Sequence, residues 1–196
     1  MRQIFIALVI ASWHTLLSSA APVPKDATKG ELYFPITLGS RWVYEISGRE
    51  SAEIIIAVEE KDGARLVTTG YETRGEVVAN QVICVSEKGI SLVDTDVADL
   101  DEPFWMLKLP QTKENKWEAV LAPTGLEKAT GKMIASGPEV IKVPAGTFQA
   151  IRVDMDISFA GERRKVSTWF APHVGKVKEV RGDRIEVLKS FTPGNK

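Results

Sequence analysis

The sequence predicts an all-β protein: a single curled antiparallel sheet of about ten strands, a half-barrel or open barrel with little helix. Three observations carry this expectation. From Ile151 to Phe159 the odd positions are Ile151, Val153, Met155, Ile157 and Phe159, and the even ones Arg152, Asp154, Asp156 and Ser158. Such a period of two marks a strand with one face buried and one face wet. Turn residues recur at short intervals, as in Pro144-Ala145-Gly146, Pro172-His173-Val174-Gly175 and Gly182-Asp183, so neighbouring strands are joined tightly and run antiparallel. After residue 20 no stretch sustains a 3.6-residue apolar period with caps, and one short helix near Val97 to Leu107 is the most the pattern allows.

Taken in order, residues 1–20 have the layout of an export signal. Arg2 supplies the positive start, Ile4 to Leu17 a mostly apolar run, and Ser18-Ser19-Ala20-Ala21 the small residues of a cleavage site after Ala20. An apolar run of about 14 residues is short of the roughly 20 that a spanning helix needs, so no transmembrane segment is expected after cleavage. No cysteine stands at the cleavage site, which argues against a lipid anchor. Residues 21–30, with two prolines and no apolar period, read as a disordered spacer. One domain over residues 31–193 follows. The formal net charge is -1, and Arg2 is the only Lys, Arg, Asp or Glu in the signal, so the processed chain carries 24 basic against 26 acidic residues. That near-neutral balance offers nothing to nucleic acid. The expected location is periplasmic or secreted.

The domain opens with Tyr33-Phe34-Pro35 and the turn Gly39-Ser40, after which Trp42, Tyr44 and Ile46 share one face of a strand. These aromatics are expected to plug the core, with a stacking platform for a ligand as the alternative. Ala52, Ile54, Ile56 and Val58 alternate against Glu53 and Glu59, and Lys61-Asp62-Gly63, Arg74-Gly75-Glu76 and Glu87-Lys88-Gly89 turn the chain between further strands. An acidic loop, Asp94 to Glu102, precedes Pro103 to Pro110, a proline-bounded apolar segment suited to an edge strand or a crossing loop. Trp117 to Ala122 and Glu127 to Ala135 resume the strands.

Little in the chain can do chemistry. Cys84, the single cysteine, excludes an intramolecular disulfide and is expected to be a small core residue. His173, the one histidine after the signal, stands in a turn with no nucleophile signature around it. One histidine and one cysteine nearly exclude a zinc site. The acids from Asp94 to Glu102 lack the glycine of a calcium loop, and Asp154 with Asp156 reads as the wet face of a strand rather than a hydrolytic pair. No cofactor, no metal and no catalytic residue is therefore expected.

Three motifs resemble those of the TapB-like family of exported bacterial β-domain proteins: Tyr33-Phe34-Pro35-Ile36 through Gly39, Trp42 and Tyr44; Val143-Pro144-Ala145-Gly146-Thr147-Phe148; and Trp169-Phe170-Ala171-Pro172 through Val174, Gly175, Val177 and Lys178. The resemblance implies one curved antiparallel sheet, and a looser similarity to the lipoprotein-carrier half-barrels of the bacterial envelope. It supplies no catalytic residue. The resulting expectation is a non-catalytic envelope protein, not an enzyme, that holds an apolar or lipid-like molecule on its concave face through Trp42, Tyr44, Phe104, Trp105, Met155 and Trp169. The alternative is an assembly protein engaging an envelope partner through a sheet edge or the 104–109 segment.

Overall fold

A computed structural model describes residues 30–96, 99–110, 115–125, 127–159 and 161–195. The export signal and nearly all of the spacer lie outside the described residues. Among the described residues there are twelve strands rather than about ten. The first six are β1 (Arg41–Ile46), β2 (Arg49–Lys61), β3 (Ala64–Thr73), β4 (Glu76–Ser86), β5 (Gly89–Thr95) and β6 (Asp99–Lys108). The second six are β7 (Asn115–Leu121), β8 (Ala129–Val143), β9 (Gly146–Phe159), β10 (Glu162–Ala171), β11 (Gly175–Arg181) and β12 (Arg184–Thr192). They form one antiparallel sheet in the order β6-β5-β4-β3-β2-β1-β12-β11-β10-β9-β8-β7. Each strand pairs with its chain neighbour except at one join, where β1 meets β12.

The sheet curls until its two edges touch, giving a nearly closed barrel. At one end of the seam Asp101 N–H donates to Ala122 C=O at 3.0 Å and Thr124 N–H to Asp99 C=O at 2.8 Å. Along the rest, side chains stand in for backbone donors: Trp117 Nε1 reaches Trp105 O at 3.1 Å and Asn115 Nδ2 reaches Lys108 O at 2.8 Å. Lys108 Nζ lies 5.5 Å from the Trp105 ring centre and 5.9 Å from that of Trp117. The expected open barrel is close to this arrangement, with the seam nearly shut. The short helix that was the most the pattern allowed does not form among the described residues: Asp99 to Leu107 belong to β6, an edge strand whose pairing with β5 captures Phe104 and Trp105. Val97 and Ala98 lie outside the described residues.

In a meander, successive turns alternate between the two ends of the barrel. The β2–β3, β4–β5, β8–β9 and β10–β11 turns share one end, and that end is sealed. Tyr33 and Phe34 are buried there, and Phe34 and Trp42 stack at 5.3 Å with Phe191 beyond at 5.7 Å. The incoming segment is tied down by Gly39 N–H to Ile55 C=O at 2.9 Å and by His173 N–H to Leu32 C=O at 2.8 Å. The tip of the β8–β9 ribbon returns to the wall, where Ala145 N–H donates to Leu188 C=O at 3.0 Å. Beneath the plug lie Ile55, Val67, Val85, Ile90, Leu107, Ile151 and Leu188, each essentially without solvent exposure. Burial of such a side chain contributes roughly 1.5–3 kcal/mol.

Bulges decide which residues enter the lumen. Alternation alone puts Ala52, Ile54, Ile56 and Val58 inside, but Ile56 is an extra residue between the Ile55–Thr69 and Ala57–Thr68 pairs. Upstream of it Glu53 and Ile55 point inward and are buried, while Ile56 is exposed. A second bulge, at Val177, sits between the Trp169–Lys178 and Phe170–Lys176 pairs. Cys84 is half-buried on the opposite face from Ile83 and Val85, so it is not the core residue expected.

Candidate functional site

The lumen above the plug is not filled. A cavity of about 400 Å³ is lined by side chains from ten strands, which only an interior space can collect. It opens toward the end carrying the β1–β2, β3–β4, β9–β10 and β11–β12 turns. One wall is apolar, with Phe104, Met106, Met133, Val153, Met155 and Phe170. The facing wall is polar, with Tyr44, Glu53, Tyr71, Gln81, Lys176, Glu179, Arg181 and Glu186. Arg184 stands at the mouth.

The polar wall is ordered by charge. Lys176 Nζ lies 2.6 Å from Glu186 Oε1 and 4.9 Å from the centre of the Tyr44 ring, whose hydroxyl donates to the Lys176 carbonyl at 3.0 Å. Burial disfavours the Lys176 ammonium, but the carboxylates of Glu186, Glu179 and Glu53 and the hydrogen bond to Glu186 outweigh it, so its pKa is raised. Arg181 pairs with Glu179 at 3.0 Å. Glu53, only 7% exposed, accepts from Thr69 Oγ1 at 2.7 Å and from Gln81 Nε2 at 3.2 Å, both on Oε1. Burial first, and then the neighbouring acids led by Glu53, push the Tyr44 phenol well above its ordinary range and raise Tyr71 as well.

Of the expected ligand residues, the structure brings Trp42, Tyr44, Phe104 and Met155 together around this cavity. Trp105 and Trp169 do not line it. Trp105 follows Phe104 on β6 and meets Trp117 and Lys108 at the seam. Trp169 lies on the outer wall, because its register partner Arg152 alternates against Ile151 and Val153. There Arg152 lies 5.2 Å from the ring centre, Lys178 5.0 Å, and Glu139 accepts from the indole N–H. The 104–109 segment is no exposed patch either, since Phe104 and Leu107 are buried.

Sequence reasoning missed Glu53, Lys176, Glu179 and Glu186. The first two enter through bulges, which leave no mark in composition. A signal was available for the other pair: Glu179 and Glu186 face each other across the β11–β12 hairpin, and their spacing about Gly182-Asp183 places them on one face. A larger depression of about 670 Å³ lies outside, over β8 to β10. Four of its ionic groups pair with one another, Arg152 with Asp154 and Arg163 with Asp156. Its carboxylates are the wet strand face that alternation indicated. Among the described residues no group of three or more His, Cys, Asp or Glu is placed to hold a metal ion.

Fold and lumen together define a class: a nearly closed twelve-stranded meander barrel, plugged at one end and hollow at the other. No protein-family model and no curated protein matches the sequence. Among solved structures, the chain is similar to a predicted exported protein with a YmcC-like fold from Bacteroides fragilis. That match has a TM-score of 0.54 and 15% identity, and spans 83% of this chain and 99% of the other. A predicted lipoprotein from Parabacteroides distasonis matches over the same shares at 16% identity and a TM-score of 0.48. The first likeness is one of fold, and it extends over the whole of the neighbour.

Proposed function

We propose that this protein is an exported, non-catalytic binding module of the bacterial envelope that takes an apolar or amphipathic small molecule into the hollow half of its barrel. The observation that carries the reading is the cavity of about 400 Å³ with one apolar and one polar wall, a size and lining suited to a small ligand. Export is supported by the layout of residues 1–20 and by the description of the Bacteroides fragilis neighbour as exported. Membership of the TapB-like family belongs to the same reading and rests on the three motifs.

The test uses the processed protein and the neutral dye N-phenylnaphthylamine, whose fluorescence rises on transfer from water to an apolar site. Wild type is expected to bind it saturably, and Met155→Trp, which fills the cavity from its apolar wall, to bind at least about tenfold more weakly. Equal binding by the two proteins would place the dye elsewhere and remove the proposal.

A further inference from the structure

Within the lumen one carboxylate stands outside every salt bridge among the described residues: Lys176 is near enough to feel the Glu53 charge but is clasped by Glu186, and Arg184 stands at the mouth. Lys176 is matched by Glu186 and Arg181 by Glu179. Glu53 is as deeply buried as Glu186 but has no basic group within ion-pair distance among the described residues, only the neutral donors of Thr69 and Gln81 on Oε1. Oε2 accepts no hydrogen bond from a described residue and is not sealed by protein, so it opens on the cavity that Glu53 lines. A carboxylate offers about four acceptor positions, and a buried charge is costly without an opposite one.

The molecule also shows how it holds an ammonium. Lys176 Nζ is gripped by a carboxylate, Glu186, and the face of a tyrosine, Tyr44. The same two groups recur on the adjoining strands, where Glu53 of β2 is the register partner of Tyr71 of β3 and both line the cavity. Among the described residues no lysine lies within ion-pair distance of that second pair, and Lys176, held by Glu186, acts on it only from farther off. A metal ion would need several oxygen ligands, whereas one carboxylate and an aromatic ring suit an organic ammonium.

We infer that Glu53 and Tyr71 form a recognition site for the cationic amine head of an amphipathic ligand, whose apolar part lies against Phe104, Met106 and Met155. The inference rests on the proposed lumen-binding function and names the ligand class. Specificity then follows from charge: an amine enters where an alcohol of equal chain length gains only the apolar wall.

The experiment measures displacement of N-phenylnaphthylamine from the processed wild-type protein by decylamine, decanol and decanoate. Decylamine is expected to bind about tenfold or more tighter than decanol, with decanoate weakest. In Glu53→Gln, which keeps shape and removes charge, the amine preference is expected to collapse while decanol affinity stays the same. If decanol and the dye bind but the amine has no advantage in wild type, the inference is overturned and the lumen function stands. If neither dye nor decanol binds, both fall. Should Glu53→Gln fail to fold, the wild-type ranking decides alone, and Tyr71→Leu serves as the second variant, expected to reduce the amine preference and overturning the tyrosine's part in the site if it does not.

Discussion

The two halves of the lumen are built from the same strands and differ in what those strands point inward. Toward the plugged end each strand contributes an aliphatic or aromatic residue, and the space between walls is consumed: Trp42, Ile55, Ile83, Ile90, Leu107 and Leu188 are almost wholly buried. Toward the open end the same strands contribute Glu53, Tyr71, Gln81, Glu179 and Glu186, whose polar ends are held at the wall by hydrogen bonds and ion pairs and leave the middle empty. A barrel this size has more interior than its walls can fill. Stability is concentrated in one half, and the other half is free to hold something else.

That division can be broken by truncation. Trp42→Ala removes a buried ring whose Nε1 donates to Val174 C=O at 2.7 Å, and urea unfolding should show a loss of about 3–5 kcal/mol. Met155→Ala borders space that is already open, so its cost should stay below about 1 kcal/mol. Comparable losses for the two would mean that the open half is as tightly packed as the plugged one.

Alkaline pH addresses both halves together. The protein has three tyrosines, and all have raised pKa values: Tyr33 at the plug, pushed to about 12 by burial and then Glu31, and Tyr44 and Tyr71 in the lumen. Folding raises these pKa values, so their contribution to stability is intact below the ordinary value of 10.0 and is lost as pH rises through the raised ones. The tyrosinate absorbance should lag behind that of free tyrosine and then rise with the unfolding signal. Titration of Tyr33 and Tyr44 near the ordinary value, with the fold intact, would contradict the burial of those two side chains.

Lys176→Met should cost about 2–3 kcal/mol, because it strands the Glu186 carboxylate, and Lys176→Met with Glu186→Leu should recover most of that loss. Failure of the double variant to recover would show that the pair is not the unit holding the polar wall.

Gly175→Ala sharpens the plug. The glycine sits at φ +86°, and a Cβ there would lie 2.9 Å from Cδ2 of Phe34, so a loss of about 1–3 kcal/mol is expected. Phe34→Ala in the same background should remove the steric part of the penalty. At the bottom of the scale, Arg163→Ala breaks only an exposed pair with Asp156 on the outer wall, and its unfolding midpoint should match wild type within scatter.

Most strand positions were legible from residue order. Trp42 and Tyr44 on one face, the Asp-Gly and Arg-Gly turns, and the alternation from Ile151 to Ile157 each describe a neighbourhood of a few residues, and backbone sterics act at that range. The aromatic plug was legible for the same reason, since Tyr33, Phe34 and Trp42 are large apolar rings near the start of a strand. The candidate site was half legible: Trp42, Tyr44, Phe104 and Met155 came together, while Trp169, an equally good aromatic, faces outward beside Arg152.

By itself, then, the sequence determined an antiparallel meander with one apolar face per strand, because alternation and turn chemistry are local. Only the tertiary structure decided that the sheet curls until Leu100 meets Pro123 across the seam, and that the extra residues Ile56 and Val177 swing Glu53 and Lys176 into the lumen. Closure and bulge placement follow from the register of strands far apart in the chain. A shift of one residue exchanges the two faces of a strand, and no local pattern records it.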